Sequence, residues 1–221
     1  MEFPRDFFSA GRAYSRVGAP VPAPLIRRSF TLNEAVQKAQ LLICGLGFYK
    51  LYVNGADVTK GELAPYISNP DDILYYDTYD IVSLLHPGEN VIGLMLGNGK
   101  LNNFAGGVWD FEKAPWVSAP KFALALEMEG ISGERVTIAA DESFLSASGP
   151  ITYDDEHGGE DYDVRLEKPG WNLPGYDDTG WTACIPAERP RGKMRLCEAE
   201  PVRVAEARKP VSVTREGEGY R

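Results

Sequence analysis

Apolar and polar residues alternate over short stretches along most of this chain, and a two-residue period predicts β-strands. Turn-forming Gly, Pro, Asn and Asp residues separate the stretches at intervals of roughly 8 to 12 residues, which is typical of β-sandwiches. The predicted strands are 25–32, 39–44, 48–53, 73–79, 91–96, 121–128, 134–140, 143–146, 193–198 and 202–205. We therefore expect an all-β fold with a single short helix, near residues 33–37.

Two of these segments need a separate argument. Residues 91–96 are almost continuously apolar, which indicates a central strand buried on both faces. Residues 121–128 consist largely of good helix formers, but their apolar side chains alternate with the period of a strand, and Pro120 and Gly130 bound the segment. We predict a strand there as well.

Two turns have clear local signatures. Asn54-Gly55 follows strand 48–53 directly and supplies the positive φ angles that a two-residue hairpin needs. Residues 177–181, Asp-Asp-Thr-Gly-Trp, predict a turn that places Trp181 in the core.

Composition restricts the classes of partner. The 221 residues carry a formal net charge of −9, which argues against nucleic acid because binding phosphates requires concentrated Lys and Arg. Residues 189–195 form the only basic cluster, and we interpret it as a solvated loop. No run approaches the ~18 apolar residues of a membrane helix, so we expect no membrane contact. Cys44, Cys184 and Cys197 are odd in number and lack metal-ligand spacing, which favours reduced thiols and a cytoplasmic location.

The order of motifs resembles one family. Residues 41–99 contain an aromatic strand ending in Asn-Gly, a Tyr-rich strand into Asp80-Ile81, a Pro-Gly-Glu-Asn turn and a further strand. Residues 159–167 match a Tyr-Asp-x-Arg segment, and Gly170-Trp171 and Gly180-Trp181 match Gly-Trp segments. Together these resemble the N-terminal β-sandwich module of bacterial α-L-rhamnosidases, family 78 of the glycoside hydrolases. The resemblance implies a jelly-roll β-sandwich of the galactose-binding-domain type.

The resemblance also implies a function and a domain organisation. In that family the chain continues into further domains, and a helical barrel holds both catalytic carboxylates, so we expect no catalytic residue here. The implied role is a non-catalytic accessory domain that braces the barrel and binds sugar; the alternative is a free-standing lectin-like protein. We expect an N-terminal arm at 1–24, the sandwich at 25–206, and a linker or truncated next domain at 207–221 that contains a strand, 210–214.

The long loop 98–116 is the candidate carbohydrate site. It interleaves aromatic rings, which stack on pyranose faces, with amide and carboxylate groups that bond hydroxyls. The candidate residues are Asn102, Asn103, Trp109, Asp110 and Trp116. The alternative is that the aromatic rings plug the end of the sandwich or pack on a neighbouring domain.

The acidic loop 154–163 is the candidate metal site. Calcium prefers six to eight oxygen ligands, and the weak candidates are Asp154, Glu156, Glu160 and Asp163. The alternative is a solvated acidic turn, and we expect no other cofactor. Where this loop meets loop 98–116, around Tyr153, Tyr162, Trp109 and Trp116, we expect apolar surface that the missing domain would cover, and self-association of the isolated fragment.

Overall fold

Two stacked antiparallel sheets form the protein in a computed structural model, which describes residues 6–106 and 110–220. The strands in chain order are β1 (Phe7–Ser9), β2 (Pro24–Leu32), β3 (Val36–Leu46), β4 (Phe48–Val53), β5 (Ala56–Asp57), β6 (Ile73–Asp80), β7 (Gly88–Gly97), β8 (Lys121–Gly130), β9 (Arg135–Ala139), β10 (Leu145–Ser148), β11 (Ile151–Asp155), β12 (Gly159–Tyr162), β13 (Thr182–Ala183), β14 (Ile185–Ala187), β15 (Lys193–Leu196), β16 (Arg215–Glu216) and β17 (Gly219–Tyr220). Short 3₁₀ turns occupy Val82–Leu84, Gly99–Asn102, Phe111–Lys113 and Val164–Leu166.

The sheets differ in strand order. The first runs β14-β1-β8-β3-β6-β15, with β9 also paired to β8, and the second runs β13-β10-β2-β7-β4-β5. The pairs are antiparallel except for β15, which lies parallel to β6. The core between the sheets combines Leu41 and Leu124 of the first sheet with Ile26, Leu51 and Leu94 of the second. This confirms the predicted all-β jelly-roll sandwich.

The two segments that needed a separate argument are both strands. β7 pairs with β2 on one side and β4 on the other, and Val91, Ile92, Leu94 and Leu96 have no exposed surface. β8 pairs with β3, β9 and β1. Its helix-forming composition is overridden because neighbouring strands bond to the backbone on both edges, while both faces, which include Ala123 and Leu124, are buried in hydrophobic clusters.

Three predicted elements are wrong. Residues 33–35 form no helix, because the Glu34 carboxylate accepts hydrogen bonds from Ser132 across the sheet and β3 begins at Val36. Residues 202–205 form no strand; Glu62 and Val202 make an isolated bridge instead. Residues 210–214 are irregular, and the hairpin β16–β17 follows them around Gly217.

The expected N-terminal arm includes a strand. β1 pairs with β14 and touches β8 at Phe8, so this part of the 1–24 segment belongs to the first sheet. The chain then runs to β2 through a short bridge between Arg16 and Ala19. Within the described part of the chain, no helix is long and apolar enough to cross a membrane.

A third layer covers the outer face of the second sheet. The Trp171 ring lies on β7 at Gly93, where a Cβ atom would sit 3.0 Å from the ring, and its edge meets the Tyr52 ring at 5.5 Å between centroids. Trp181 is half-buried in the same layer, 5.9 Å from the Tyr176 ring. The expectation that Trp181 enters the core between the sheets is therefore wrong; both Gly-Trp segments belong to this outer layer.

Arg27 fixes the outer layer to β2. Its side chain is 1% exposed and forms an ion pair with Asp178. The guanidinium also donates to the backbone carbonyls of Trp171, at 2.9 Å, and Leu173, at 3.2 Å. A buried guanidinium with these three acceptors holds the two ends of the layer against one strand.

We expect Asp178→Asn to destabilise the domain by about 2 to 4 kcal/mol, because it leaves the buried Arg27 charge without its counterion. Equilibrium urea unfolding measures the loss. The control is Asp177→Asn, in the same turn, since Asp177 is exposed and its carboxylate bonds to Thr179 rather than to Arg27. Equal losses in the two variants would show that the Arg27 ion pair does not hold the layer.

Candidate functional site

The two loops selected from the sequence meet in the structure. Loop 98–116 lies against the hairpin β11–β12. The Phe104 and Tyr153 rings pack edge to face at 5.2 Å, and the Lys100 ammonium lies 3.0 Å from the Glu156 carboxylate. The Asn103 side-chain amide lies 2.9 Å from Nδ1 of His157.

Asp155 joins the loops through its carboxylate. Oδ2 accepts from the backbone amides of Phe104 and Ala105, at 2.9 and 3.0 Å, and Oδ1 accepts from those of His157 and Gly158, at 2.9 and 2.8 Å. Burial acts to raise the pKa of Asp155, but the four amide bonds outweigh it and the net pKa is lowered. This carboxylate, which the sequence did not single out, shapes the loops rather than presenting itself to a ligand.

Asp154 joins the same hairpin to the end of β7. Its carboxylate accepts from the backbone amide and from the side-chain amide of Asn98, both at 2.6 Å. Burial raises the pKa of Asp154 to about 6, and the Asn98 bonds oppose this shift. A cavity of about 240 Å³ opens beside Asp154, between the N-terminal segment and β10.

The two candidate asparagines are buried, and their side chains form hydrogen bonds within the protein. Asn102 has no exposed surface, and its amide donates to the Ser15 carbonyl and to Oδ1 of Asn98, both at 3.1 Å. Asn103 is 2% exposed. These side chains hold the N-terminal segment and the hairpin onto loop 98–116; sugar binding through them remains a prediction.

The remaining candidates of loop 98–116 are dispersed. Asp110 is exposed and pairs with Lys113 at 2.9 Å, while Trp109 lies outside the described residues. Trp116 is half-buried against a small cluster on the outer face of the first sheet and lines a groove that also includes Lys121. We also expected apolar surface around Tyr153, Tyr162, Trp109 and Trp116; of these, Tyr162 is 52% exposed at the open end of the hairpin, where it pairs with Ile151.

Three of the four calcium candidates have protein partners, and the fourth faces solvent. Asp154 is bonded to Asn98, Glu156 to Lys100, and Asp163 to Arg165 at 2.6 Å, while Glu160 is exposed on β12. Within residues 6–106 and 110–220, no group of three or more His, Cys, Asp or Glu side chains is arranged to hold a metal ion. Calcium binding stays a prediction.

The raised pKa of Asp154 predicts a pH-dependent stability. The pKa of Asp154 is 3.8 in the unfolded chain and about 6 in the folded protein. When a carboxyl has the higher pKa in the folded state, the folded state loses stability as the pH rises from the lower value through the higher one. Relative to Asp154→Asn, which does not titrate, the wild-type protein should lose about 2 kcal/mol between about pH 4.5 and 7.5. Urea unfolding at both pH values measures this difference.

The matched control is Asp161→Asn, an exposed carboxylate on the same hairpin. Its stability relative to wild type should change little between the two pH values. A pH-independent difference for Asp154→Asn would contradict the proposed environment of that carboxyl.

The chain matches a family of known proteins. The sequence family described as the alpha-L-rhamnosidase N-terminal domain matches residues 34–206 of this chain. An alpha-L-rhamnosidase from Formosa agariphila is 34% identical over 165 residues, covering 72% of this chain and 17% of that protein. The chain thus spans less than a fifth of the length of this relative.

Solved structures agree with this match. An alpha-L-rhamnosidase from Dictyoglumus thermophilum superposes with a TM-score of 0.81 at 31% identity, covering 98% of this chain and 25% of that one. One from Aspergillus terreus superposes with a TM-score of 0.82 at 28% identity, covering 97% and 25%. The resemblance inferred from the motifs is confirmed: this chain belongs to the alpha-L-rhamnosidase N-terminal domain family.

Proposed function

We propose that this chain is a non-catalytic accessory domain of an α-L-rhamnosidase, and that it braces a catalytic domain which supplies both reacting carboxylates. The observation that carries the proposal is an exposed apolar strip on a domain that covers only 17% and 25% of the length of two of its relatives. The strip consists of Leu63, Tyr66, Ile67 and Val202, which are 58%, 58%, 46% and 57% exposed. Large apolar surfaces of this kind mark interfaces.

The strip is continuous and bounded by charge. Leu63, Tyr66 and Val202 line one shallow hollow together with Lys60 and Glu62. Ile67 and Tyr66 line the adjoining hollow. An apolar centre with a charged rim is the usual anatomy of a protein–protein interface.

A buried polar network holds the strip in place. The Tyr49 hydroxyl donates to Asp77 at 2.6 Å and lies 2.8 Å from the Tyr79 hydroxyl, which accepts from the Lys60 amide at 3.3 Å. The Tyr49 amide donates to the Ala64 carbonyl at 2.8 Å. Burial raises the pKa of Tyr79 to about 12, so this phenol stays neutral at physiological pH. The network therefore fixes the conformation of residues 60–66 before any partner docks.

The acidic hairpin supports a non-catalytic role. Glycoside hydrolysis by two carboxylates requires an acid and a base that flank the bond in a preorganised pocket. Here Asp154 and Asp155 bond to amides and Asp163 bonds to Arg165, while Glu160 faces solvent. Asp154, Asp155 and Asp163 are thus engaged in holding the hairpin and its neighbours, and Glu160 does not line the cavity beside Asp154.

We further propose that the domain binds carbohydrate, and the half-buried Trp116 in its groove supports this part of the proposal. An indole ring fixed at the wall of a groove offers one face to a pyranose. The alternative of a free-standing lectin requires the same groove but no partner on the strip.

We expect Ile67→Asp to lower the unfolding temperature of the full-length parent enzyme by a few degrees. Placing a charge in a buried interface removes about 1 to 2 kcal/mol of apolar burial and adds a desolvation cost. The isolated chain should not respond, because Ile67 is already exposed there. Calorimetry on both proteins measures the shifts.

The control is Ile131→Asp at the β8–β9 turn, since Ile131 is 66% exposed and lies apart from the strip. It should leave both unfolding temperatures unchanged. Equal effects of Ile67→Asp on the parent and on the isolated chain would contradict docking at the strip and would favour the lectin.

A further inference from the structure

We propose that the groove beside Trp116 binds a sugar that carries a carboxylate, a hexuronosyl residue of an acidic glycan. The groove has a volume of about 390 Å³, within the range of small-molecule sites of about 300–1,000 Å³. This inference rests on the carbohydrate-binding part of the proposed function and specifies its site and ligand class. It does not depend on docking at the apolar strip.

A lysine forms the floor of the groove. Lys121, the first residue of β8, is 6% exposed, and its ammonium donates to the Glu188 carbonyl at 3.0 Å. This is its one hydrogen bond within the described part of the chain. Burial lowers the pKa of Lys121, while the nearby Glu188 carboxylate acts in the opposite direction. An ammonium has three donors, so this group retains the capacity to bond an entering carboxylate.

The rim of the groove belongs to the only basic cluster of the sequence. Arg191 binds Asp71 at 2.7 Å, which ties the 189–192 loop to the turn before β6. Arg189 is exposed and has no ion-pair partner among the residues that the structure describes. Three cationic side chains thus face two carboxylates, Asp71 and Glu188, and leave a local excess of one positive charge on a chain of net charge −9.

The loop that carries the rim is held rigidly. Gly192 is buried, its amide donates to the Pro70 carbonyl at 3.1 Å, and a Cβ atom there would sit 2.5 Å from that oxygen. The Lys193 amide donates to the Asp72 carbonyl at 3.0 Å. The basic side chains of residues 189–195 are exposed, as expected of a solvated loop, but the backbone around Gly192 is fixed against residues 70–72, and residues 193–195 belong to β15.

The aromatic wall and the cationic floor of the groove together indicate which class of ligand fits it. Trp116 packs against the cluster of Phe7, Leu46 and Leu101 and leaves part of its ring in the groove. An aromatic wall favours a pyranose, and a buried ammonium beside a free guanidinium favours a carboxylate. One excess charge is too little for a polyphosphate. A hexuronate has both a pyranose ring, which can stack on Trp116, and a carboxylate, which can bond to the cationic groups.

The test compares two sugars that differ at one carbon, D-galacturonate and D-galactose, added to ¹⁵N-labelled protein and followed by amide chemical shifts. We expect galacturonate to bind about tenfold more tightly than galactose and to shift the amide signals of Trp116 and Lys121. Added salt should weaken the binding of galacturonate. Lys121→Met and Arg189→Gln should each remove this preference. Arg189 is exposed, so its replacement reports on binding even if the Lys121 variant fails to fold.

The matched control is Lys193→Met, an exposed lysine in the same basic cluster outside the groove, which should keep the preference. Equal binding of both sugars would overturn the acidic-ligand inference and leave carbohydrate binding standing. Absence of shifts with either sugar at about 10 mM, roughly tenfold above a Kd of ~1 mM, would overturn both. Docking at the apolar strip would be unaffected by either result.

Discussion

The buried guanidinium of Arg27 is the interaction that the surface of this domain depends on most. It lies on β2 in the middle of the second sheet and takes its acceptors from residues 171, 173 and 178. Without it, the segment that contains both Gly-Trp motifs would have no polar attachment to that strand. The sandwich therefore has three layers, and the two Gly-Trp segments, which are among the motifs that resemble the family, belong to the third.

Carboxylates in this domain are used mainly to shape loops. Asp155 collects four amide donors from two segments, Asp154 closes the end of β7, and Asp71 ties two loops beside the groove. An acidic run such as 154–163 resembles a catalytic or metal site in sequence, since the same residue types serve all three purposes. The partners of each carboxylate decide between these roles, and here the partners are backbone amides, the Asn98 side chain, Lys100 and arginines.

The sequence predicted the parts of the fold that are governed by local pattern. The alternation in 121–128 and the apolar run 91–96 identified the central strands, because burial on a pleated sheet imposes its period directly on the chain. The predicted strands at 202–205 and 210–214 were wrong because short apolar runs need a partner strand, and Val202 meets only Glu62. The position of Trp181 was predicted wrongly because the outer layer that contains it is held by Arg27, which lies far away in the chain.

The candidate sites were harder to predict for the same reason. Asn102 was selected for its position in a loop, but its partner Ser15 comes from the N-terminal segment 87 residues away, and the pairing buries it. The groove beside Trp116 requires residues from 71, 116–121 and 188–191 to come together. The sequence singled out two parts of this groove, Trp116 as an aromatic residue in a long loop and residues 189–195 as the only basic cluster, but nothing in the sequence indicated that they meet.

The most direct test of the non-catalytic assignment is turnover of an aryl α-L-rhamnoside by this chain alone, compared with the full-length parent enzyme. The proposed function predicts hydrolysis by the parent and none by the chain, because the candidate carboxylates of the acidic hairpin bond to amides, Lys100 or Arg165 or face solvent, and they do not form the acid and base pair of a glycosidase. Turnover by the isolated chain that disappears in Glu160→Gln or Asp163→Asn would contradict the account.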